Sequence, residues 1–491
     1  MSQPRLSFVM PVYEPKLDIF ERCLKSLKVQ ALKDWELIII LDGPNSEAKT
    51  IINKIFKDDA RAITITIMHS GVQKARNTGA TVIHGEFLCF WDADCIIEPG
   101  ASQMWVEQFD KHPETIFIYS GYKFIGDRYA IESEGWDPYT LRIRNYISTC
   151  FPMRKEFYPG WTEGLKSLQD WDMWLSVLEK AEEEGKDISK IGLFVKGYAF
   201  STPMPDENSI SGQGCKPENW LDRMDAVKKL HKLPERNICV CSLQYKHEGL
   251  ALAKLISADY QDHPNDKPNR YKTIIQIGFS LGDNCEKHAA IFQQKDIKRI
   301  VFWTGENINE IWNAVSGCQI DAMATTLNQV ATQYVEDKEA QRLMQRWGFN
   351  VEILSLPLGA AKPLPLPESK RWIVDIAGQY SPLFSVIEKA LPDIPIEVIG
   401  PNANLSEYTG MIHFFPDRTL SSSVKKALLS GRHVISNIQQ PYCGYIDDKW
   451  DIEKFIIETV DAIRKTSSLK QDDEAINYYA KSVDKLLEVL A

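Results

Sequence analysis

FLCFWDADCIIEPG, residues 87–100, sets an apolar run, Phe87 to Trp91, against two carboxylates, Asp92 and Asp94. Ala93 alone separates the acids, and apolar residues resume at Ile96 and Ile97. Repulsion and desolvation both oppose such a pair at the end of a buried strand. A turn needs only one Asp beside a Gly or Asn, so the pair predicts that something positive sits between the two acids. Similar runs precede it. LSFVMPV (6–12) is followed by Tyr13 and Glu14, WELIIILDG (35–43) closes on Asp42-Gly43, and ITITIM (63–68) reads as a further strand. Segments 19–30, 46–56 and 72–83 separate these runs and read as helices. Strands buried on both faces and alternating with helices predict an α/β fold with a mostly parallel sheet. Ligands of such sheets sit beyond the carboxyl ends of the strands. The segment Pro11 to Glu14, Asp42-Gly43 and Asp92-Ala93-Asp94 all fall there.

The chain has 491 residues, 44% hydrophobic and 25% charged, with a net charge of -10. Such a length predicts roughly three domains. No apolar run approaches the ~20 residues of a membrane span, and MSQPRLSFVMPVYEP lacks the marks of a signal peptide. The ten cysteines form no CxxC and no zinc spacing, and Cys89 and Cys241 sit in apolar runs as small core residues. A reducing, cytoplasmic setting is expected. The acidic balance speaks against a nucleic-acid backbone as main partner.

Residues 111–165 read as less regular, rich in aromatics, Gly and Pro. A helix begins at LQDWDMWLSVLEKAEEEG, 201–214 reads as loop, 219–232 as a closing helix and 233–237 as a linker. Strands then recur at 237–245, 273–279, 299–305, 351–358, 372–378, 396–400 and 433–438. ATTLNQVATQYVEDKEAQRLMQRWG is a long polar stretch among the helices, and SSSVKKALLSG is a helix stopped by Gly431. KPLPLPESK (362–370) is placed as the joint between two lobes.

VMPVYEP, LDGPN (41–45), GVQKARNTGA (71–80), WDAD (91–94) and QDWDMWL (169–175) occur in the order seen in family 2 glycosyltransferases, and residues 6 to about 215 resemble that family and its GT-A fold. The resemblance implies a UDP-sugar donor and a divalent Mn²⁺ or Mg²⁺ ion. Carboxylate-held Mg²⁺ or Mn²⁺ neutralises a departing diphosphate and prefers oxygen ligands. On this pattern Asp94 binds metal and Asp92 contacts the ribose or the metal. Asp42 reads the base, with Pro11, Tyr13 and Glu14 shaping the nucleotide pocket. Arg76 approaches base or phosphates, or is a helix surface charge. Asp170 is the base that takes the acceptor proton, which inverts the anomeric centre. The family's usual Glu-Asp is Gln169-Asp170 here. Ser167 to Asp170 also has the spacing of a capping box, and Asp172 is expected to be structural. Trp171 is open between sugar stacking and core, and Trp174 is expected in the core. The further His or Arg of many relatives is missing from FSTPMPDENSIS.

Residues 237 to about 465 resemble a GT-B glycosyltransferase of the family 4 type, two Rossmann-like lobes, on strand order and on DRTLSSSVKKALLSGRHVIS (417–436). Arg418 and Lys426 stand where that family has two glutamates. A cation cannot accept the hydroxyl protons of a sugar, so this half is expected to bind the acceptor or hold two chains together. The expected organisation is a GT-A domain at 1–232, a first lobe at 237–362 and a second at 363–491. The acceptor class stays open among polysaccharide, lipid-linked sugar, protein and hydroxylated bases of modified DNA. Competing readings are a two-step glycan builder, a carbohydrate-binding scaffold without catalysis, and a nucleotidyltransferase. Intact Asp42, Asp92, Asp94 and Asp170 weigh against the scaffold.

Overall fold

The computed structural model describes residues 3–126, 130–205, 217–242, 245–261, 271–278, 297–304, 308, 317–336, 338–357, 371–376, 383–398, 405–414, 422–436, 443–446, 452–465 and 473–490. The chain divides into two compact units, Met1–Pro234 and Glu235–Ala491.

The first unit runs β1 (Leu6–Val12), α1 (Leu17–Lys28), β2 (Trp35–Asp42), α2 (Ser46–Phe56), β3 (Ala62–Ile67), α3 (Val72–Ala80), β4 (Phe87–Phe90), β5 (Ile96–Ile97), α4 (Ala101–Lys111), β6 (Phe117–Phe124), β7 (Ala130–Ile131), α5 (Pro138–Ile143), β8 (Pro152–Arg154), α6 (Gln169–Glu183), β9 (Gly192–Thr202) and α7 (Pro217–Leu230). Its strands form one sheet in the order β3-β2-β1-β4-β8-β6-β9-β5, with β7 on β6. The strands β3, β2, β1 and β4 pair in parallel. Their carboxyl ends therefore share one edge, which gathers Tyr13, Asp42 and the Asp92 turn.

The continuous apolar runs are buried as expected: every residue of β2 and of β4 is buried. β3 departs from that expectation. It is the edge strand, and Ile63, Thr64 and Thr66 face solvent because no further strand covers them. The stretch 111–165 is more regular than its composition suggests. β6 and β9 pair in parallel, and β8 enters antiparallel to β4. Asn45 caps α2, its side chain accepting the Ala48 N–H at 2.8 Å. α3 lies close on the sheet: a Cβ at Gly79 would meet Val9 Cγ1 at 2.4 Å and Ile40 Cγ1 at 3.2 Å.

The second unit holds two parallel sheets. The first contains β10 (Ile238–Cys241), β11 (Asp259–Gln261), β12 (Thr273–Ile277), β13 (Lys298–Phe302), β14 (Thr332–Val335) and β15 (Val351–Ile353), in the order β11-β10-β12-β13-β14-β15. The other contains β16 (Trp372–Ile376), β17 (Ile396–Val398), β18 (Gly410–Phe414), β19 (His433–Ser436) and β20 (Cys443–Tyr445), in the order β17-β16-β18-β19-β20. Strands β11, β14, β18 and β20 were not among those expected. Thr332–Val335 interrupts the long polar stretch between helices Gly317–Val330 and Lys338–Arg346, and three of its four residues are buried. Its polar Thr332 and Gln333 hide it from a hydropathy reading. Helix Ser422–Leu429 ends near Gly431 at φ +74°, as its composition predicts. Lys426 is exposed on it; Arg418, the Pro-rich joint and residues 206–214 of the expected loop lie outside the described residues. Among the described residues, no helix is long and apolar enough to cross a membrane.

Candidate active site

A cation of the chain, Arg76, lies beside Asp92. Its Nη2 donates to Asp92 Oδ1 at 2.5 Å, its Nη1 lies 3.5 Å from Gln169 Oε1, and its guanidinium sits 4.3 Å from the centre of the Trp161 ring. Buried on α3, it ties the turn after β4 to the first residues of α6. Helical spacing puts Gln73, Arg76 and Asn77 on one inward face. Gln73 Nε2 donates to the Leu165 carbonyl at 2.6 Å. Asn77 Oδ1 accepts from Tyr158 Oη at 2.6 Å and from the Trp161 N–H at 2.8 Å, and its Nδ2 donates to the Trp161 carbonyl at 3.0 Å. Gln73 and Asn77 thus hold the loop that leads into Asp170. The sequence reading missed both. Their signal was polar residues three and four apart on an otherwise apolar-facing helix.

Asp94 reaches solvent, yet its carboxyl is pushed up to about 6, first by burial and then by the charge of Asp92. The two carboxylates crowd one another across a single residue. A divalent cation would relieve that crowding. Asp92, Cys95 and Cys150 also offer ligand atoms within 4.8 Å of one another. The Cys95 thiol is raised by its hydrogen bond with Cys150 and by burial, and the Cys150 thiol by burial. Protonated thiols are poor ligands for a hard cation. The oxygens of Asp94 and Asp92 fit such an ion.

Asp170 is partly buried at the first turn of α6, and burial raises its pKa above the ordinary carboxylate value. The Trp171 N–H donates to its Oδ1 at 2.9 Å, and the Asn145 side chain also hydrogen-bonds it. The expected capping box does not form. Leu168 is the N-cap, in the left-handed region at φ +57°, with no side-chain cap, and Ser167 Oγ is buried without a partner. Glu14 is the other non-glycine of the site at positive φ, +41°. Such strain costs about 1–3 kcal/mol and gathers at functional sites. Asp172 turns inward, 3.0 Å from His231 Nε2, which agrees with a structural role. Trp171 and Trp174 are both core: their indole N–H groups donate to the Leu141 and Ser148 carbonyls at 2.6 and 3.2 Å.

Asp42 is 2% exposed at the end of β2, where Gly43 turns the chain at φ +114°. Its carboxylate accepts the Ser70 and Gly71 N–H groups at 2.7 and 3.0 Å. Tyr13 is 53% exposed and stacks on His69, ring centres 4.1 Å apart. Pro11 lies within β1, one residue before its end.

Residues 7–159 match the model of glycosyl transferase family 2. The N-terminal region carries a glycosyltransferase family 2 domain. The matched residues of this family 2 domain include Pro11, Tyr13, Glu14, Asp42, Arg76, Asp92 and Asp94, and stop short of Asp170. A glycosyltransferase of Streptococcus pneumoniae serotype 4, GlyA, is 30% identical over 360 residues, 72% of this chain and 45% of that protein. That stretch is longer than the first unit. A chondroitin synthase of Escherichia coli is 24% identical over 36% of this chain and 27% of its own, and a hyaluronan synthase of Pasteurella multocida 22% over 46% and 25%. The first of the curated relatives are spanned over only 21%, 36% and 27% of their lengths. A crystal structure of S. aureus TarS 1-349 in complex with UDP-GlcNAc aligns with TM-score 0.39 and 17% identity, over 70% of this chain and 89% of that one. At that score the likeness does not bear on this chain.

Proposed function

We propose that the protein is an inverting, metal-dependent glycosyltransferase that moves a sugar from a UDP-sugar to an acceptor hydroxyl. The observation that supports the proposal is the Arg76 bridge: its guanidinium bonds Asp92 of the acid turn and reaches Gln169, the residue before Asp170. The nucleotide lies against Pro11, Tyr13, Glu14 and Asp42. Asp94, with Asp92 held by Arg76, would bind Mn²⁺ or Mg²⁺, which supplies charge neutralisation for the departing diphosphate. Asp170 takes the acceptor's hydroxyl proton. The oxygen so freed attacks the anomeric carbon from the face opposite the diphosphate, the bond to the diphosphate oxygen breaks, and the centre inverts. The raised pKa of Asp170 suits a general base, since a stronger base accepts the proton more readily.

The relatives named as chondroitin and hyaluronan synthases favour a growing polysaccharide as acceptor. The second unit's two parallel sheets support a GT-B-like module. Exposed Lys426 in place of a glutamate favours acceptor binding or assembly there over sugar transfer.

The test measures UDP release and thermal shifts for wild type, Asp94→Ala and Asp170→Asn with UDP-sugars and Mn²⁺. Ligand that binds only the folded state raises its melting temperature. Asp170→Asn should keep the Mn²⁺-dependent shift and lose transfer by about 10²–10⁴-fold. Asp94→Ala should lose both. Undiminished turnover in Asp170→Asn removes the base assignment, and a shift that survives Asp94→Ala places the donor elsewhere.

A further inference from the structure

Asp42 has little left to offer a base. Oδ1 accepts the Ser70 N–H at 2.7 Å, and Oδ2 accepts the Gly71 N–H at 3.0 Å. His69 Nδ1 also lies 3.0 Å from Oδ2. A carboxylate has about four lone-pair directions, and three donors from the loop after β3 meet this one. The carboxylate is buried as well, whereas the His69 side chain is 55% exposed.

Two contacts fix the His69 ring. Tyr13 stacks on its face, centres 4.1 Å apart and planes 23° from parallel, so nothing fits between the rings. Asp42 holds its Nδ1, which also lies 3.3 Å from the Asp42 carbonyl. With Nδ1–H turned to these oxygens, the neutral imidazole presents Nε2 as an acceptor on its other side. An orientation fixed in advance saves ordering entropy on binding.

We infer that His69 reads the nucleobase of the donor: Nε2 accepts the N3–H of uracil, Asp42 sets the tautomer, and Tyr13 braces the ring. The inference rests on the proposed use of a uridine diphosphate sugar. It assigns base selection to a residue that no motif in the sequence singled out. Uracil offers a donor at N3. Cytosine offers a lone pair there, which would face the lone pair of Nε2. Methylation of uracil N3 removes the donor and adds bulk.

Calorimetric titration of the full chain with UDP, CDP and N3-methyl-UDP, in Mn²⁺, tests this in wild type, His69→Ala, His69→Gln and Asp42→Asn. Wild type should prefer UDP over both analogues by about tenfold or more, the worth of one well-placed hydrogen bond. His69→Ala should bind UDP about tenfold more weakly and treat the three ligands alike. His69→Gln, which keeps an acceptor, should recover part of the preference. Melting temperatures within a few degrees of wild type show that the variants fold. Full preference for UDP in His69→Ala overturns the inference, and its loss only in Asp42→Asn gives base reading to Asp42. Failure of wild type to bind UDP overturns the donor assignment itself, a result distinct from UDP binding that is indifferent to His69.

Discussion

Arg76 Nη2 and Asp92 Oδ1 lie 2.5 Å apart, and that ion pair joins the acidic turn after β4 to the helix that bears Asp170. The guanidinium is 6% exposed and the carboxylate 36%. The acid pair thus has a cation of the chain's own at Asp92, while Asp94 is exposed.

Removing that cation leaves Asp92 half-buried beside a second acid. Arg76→Ala should destabilise the first unit by about 2–3 kcal/mol. Arg76→Lys should recover less than half, because an ammonium lacks the planar fork and the flat face that meets Trp161. Urea midpoints of the three proteins measure this; equal midpoints would show the pair to be energetically idle.

The carboxyl of Asp94 sits at about 6, above its ordinary 3.8. A raised acid is one that the folded state holds protonated more readily than the unfolded chain. Its contribution to stability therefore falls as pH rises from about 4 to above 6. Asp94→Asn should melt above wild type at pH 7.5, with the gap closing toward pH 4. Saturating Mn²⁺ should raise wild type only. A gap that does not change with pH would assign the effect to something other than ionisation.

His231 lies between Asp172 and Glu179, 3.0 Å from each. Burial pushes its pKa down, the hydrogen bonds to those acids push it up, and the balance is a rise. Its contribution is complete below pH 6.5 and disappears as pH climbs through the raised value. His231→Ala should therefore cost about 3 kcal/mol at pH 6 and clearly less at pH 9. A cost independent of pH would mean that packing alone is lost.

Gly79 sets how near α3 comes to β1 and β2. Gly79→Ala puts a methyl 2.4 Å from Val9 Cγ1, and helix and sheet must part. The expected loss is about 1–3 kcal/mol, although alanine by itself favours helix. The same displacement carries Arg76, so transfer should fall with stability. A melting temperature at or above that of wild type would show slack at this contact.

Much of the frame was legible. The runs ending at Val12, Asp42 and Trp91 are predominantly apolar, broken only by Ser7 and Glu36 before their ends, and burial on both faces explains such runs. Edge strand β3 misled because ITITIM alternates branched apolar residues with threonine whichever side is covered. Thr332–Val335 was missed because two of its four residues are polar. The capping box failed for a physical reason. Its spacing was correct, but Leu168 took the N-cap in the left-handed region, and Asp170 bonded its own neighbour's N–H instead.

The sequence by itself determined the α/β frame, the shared edge where three acidic strand ends meet, and the residue types proposed for metal and base. Those follow from local patterns: apolar periodicity, strand length and the cost of like charges side by side. Tertiary structure alone decided that Arg76 is the partner of Asp92, that Asn77 and Gln73 hold the loop before Asp170, and that His69 stands between Asp42 and Tyr13. These pairs are 16, 81 to 92 and 27 to 56 residues apart in the chain. No local preference encodes a contact across such distances. Strand register and the close seat of α3 on the sheet bring them together.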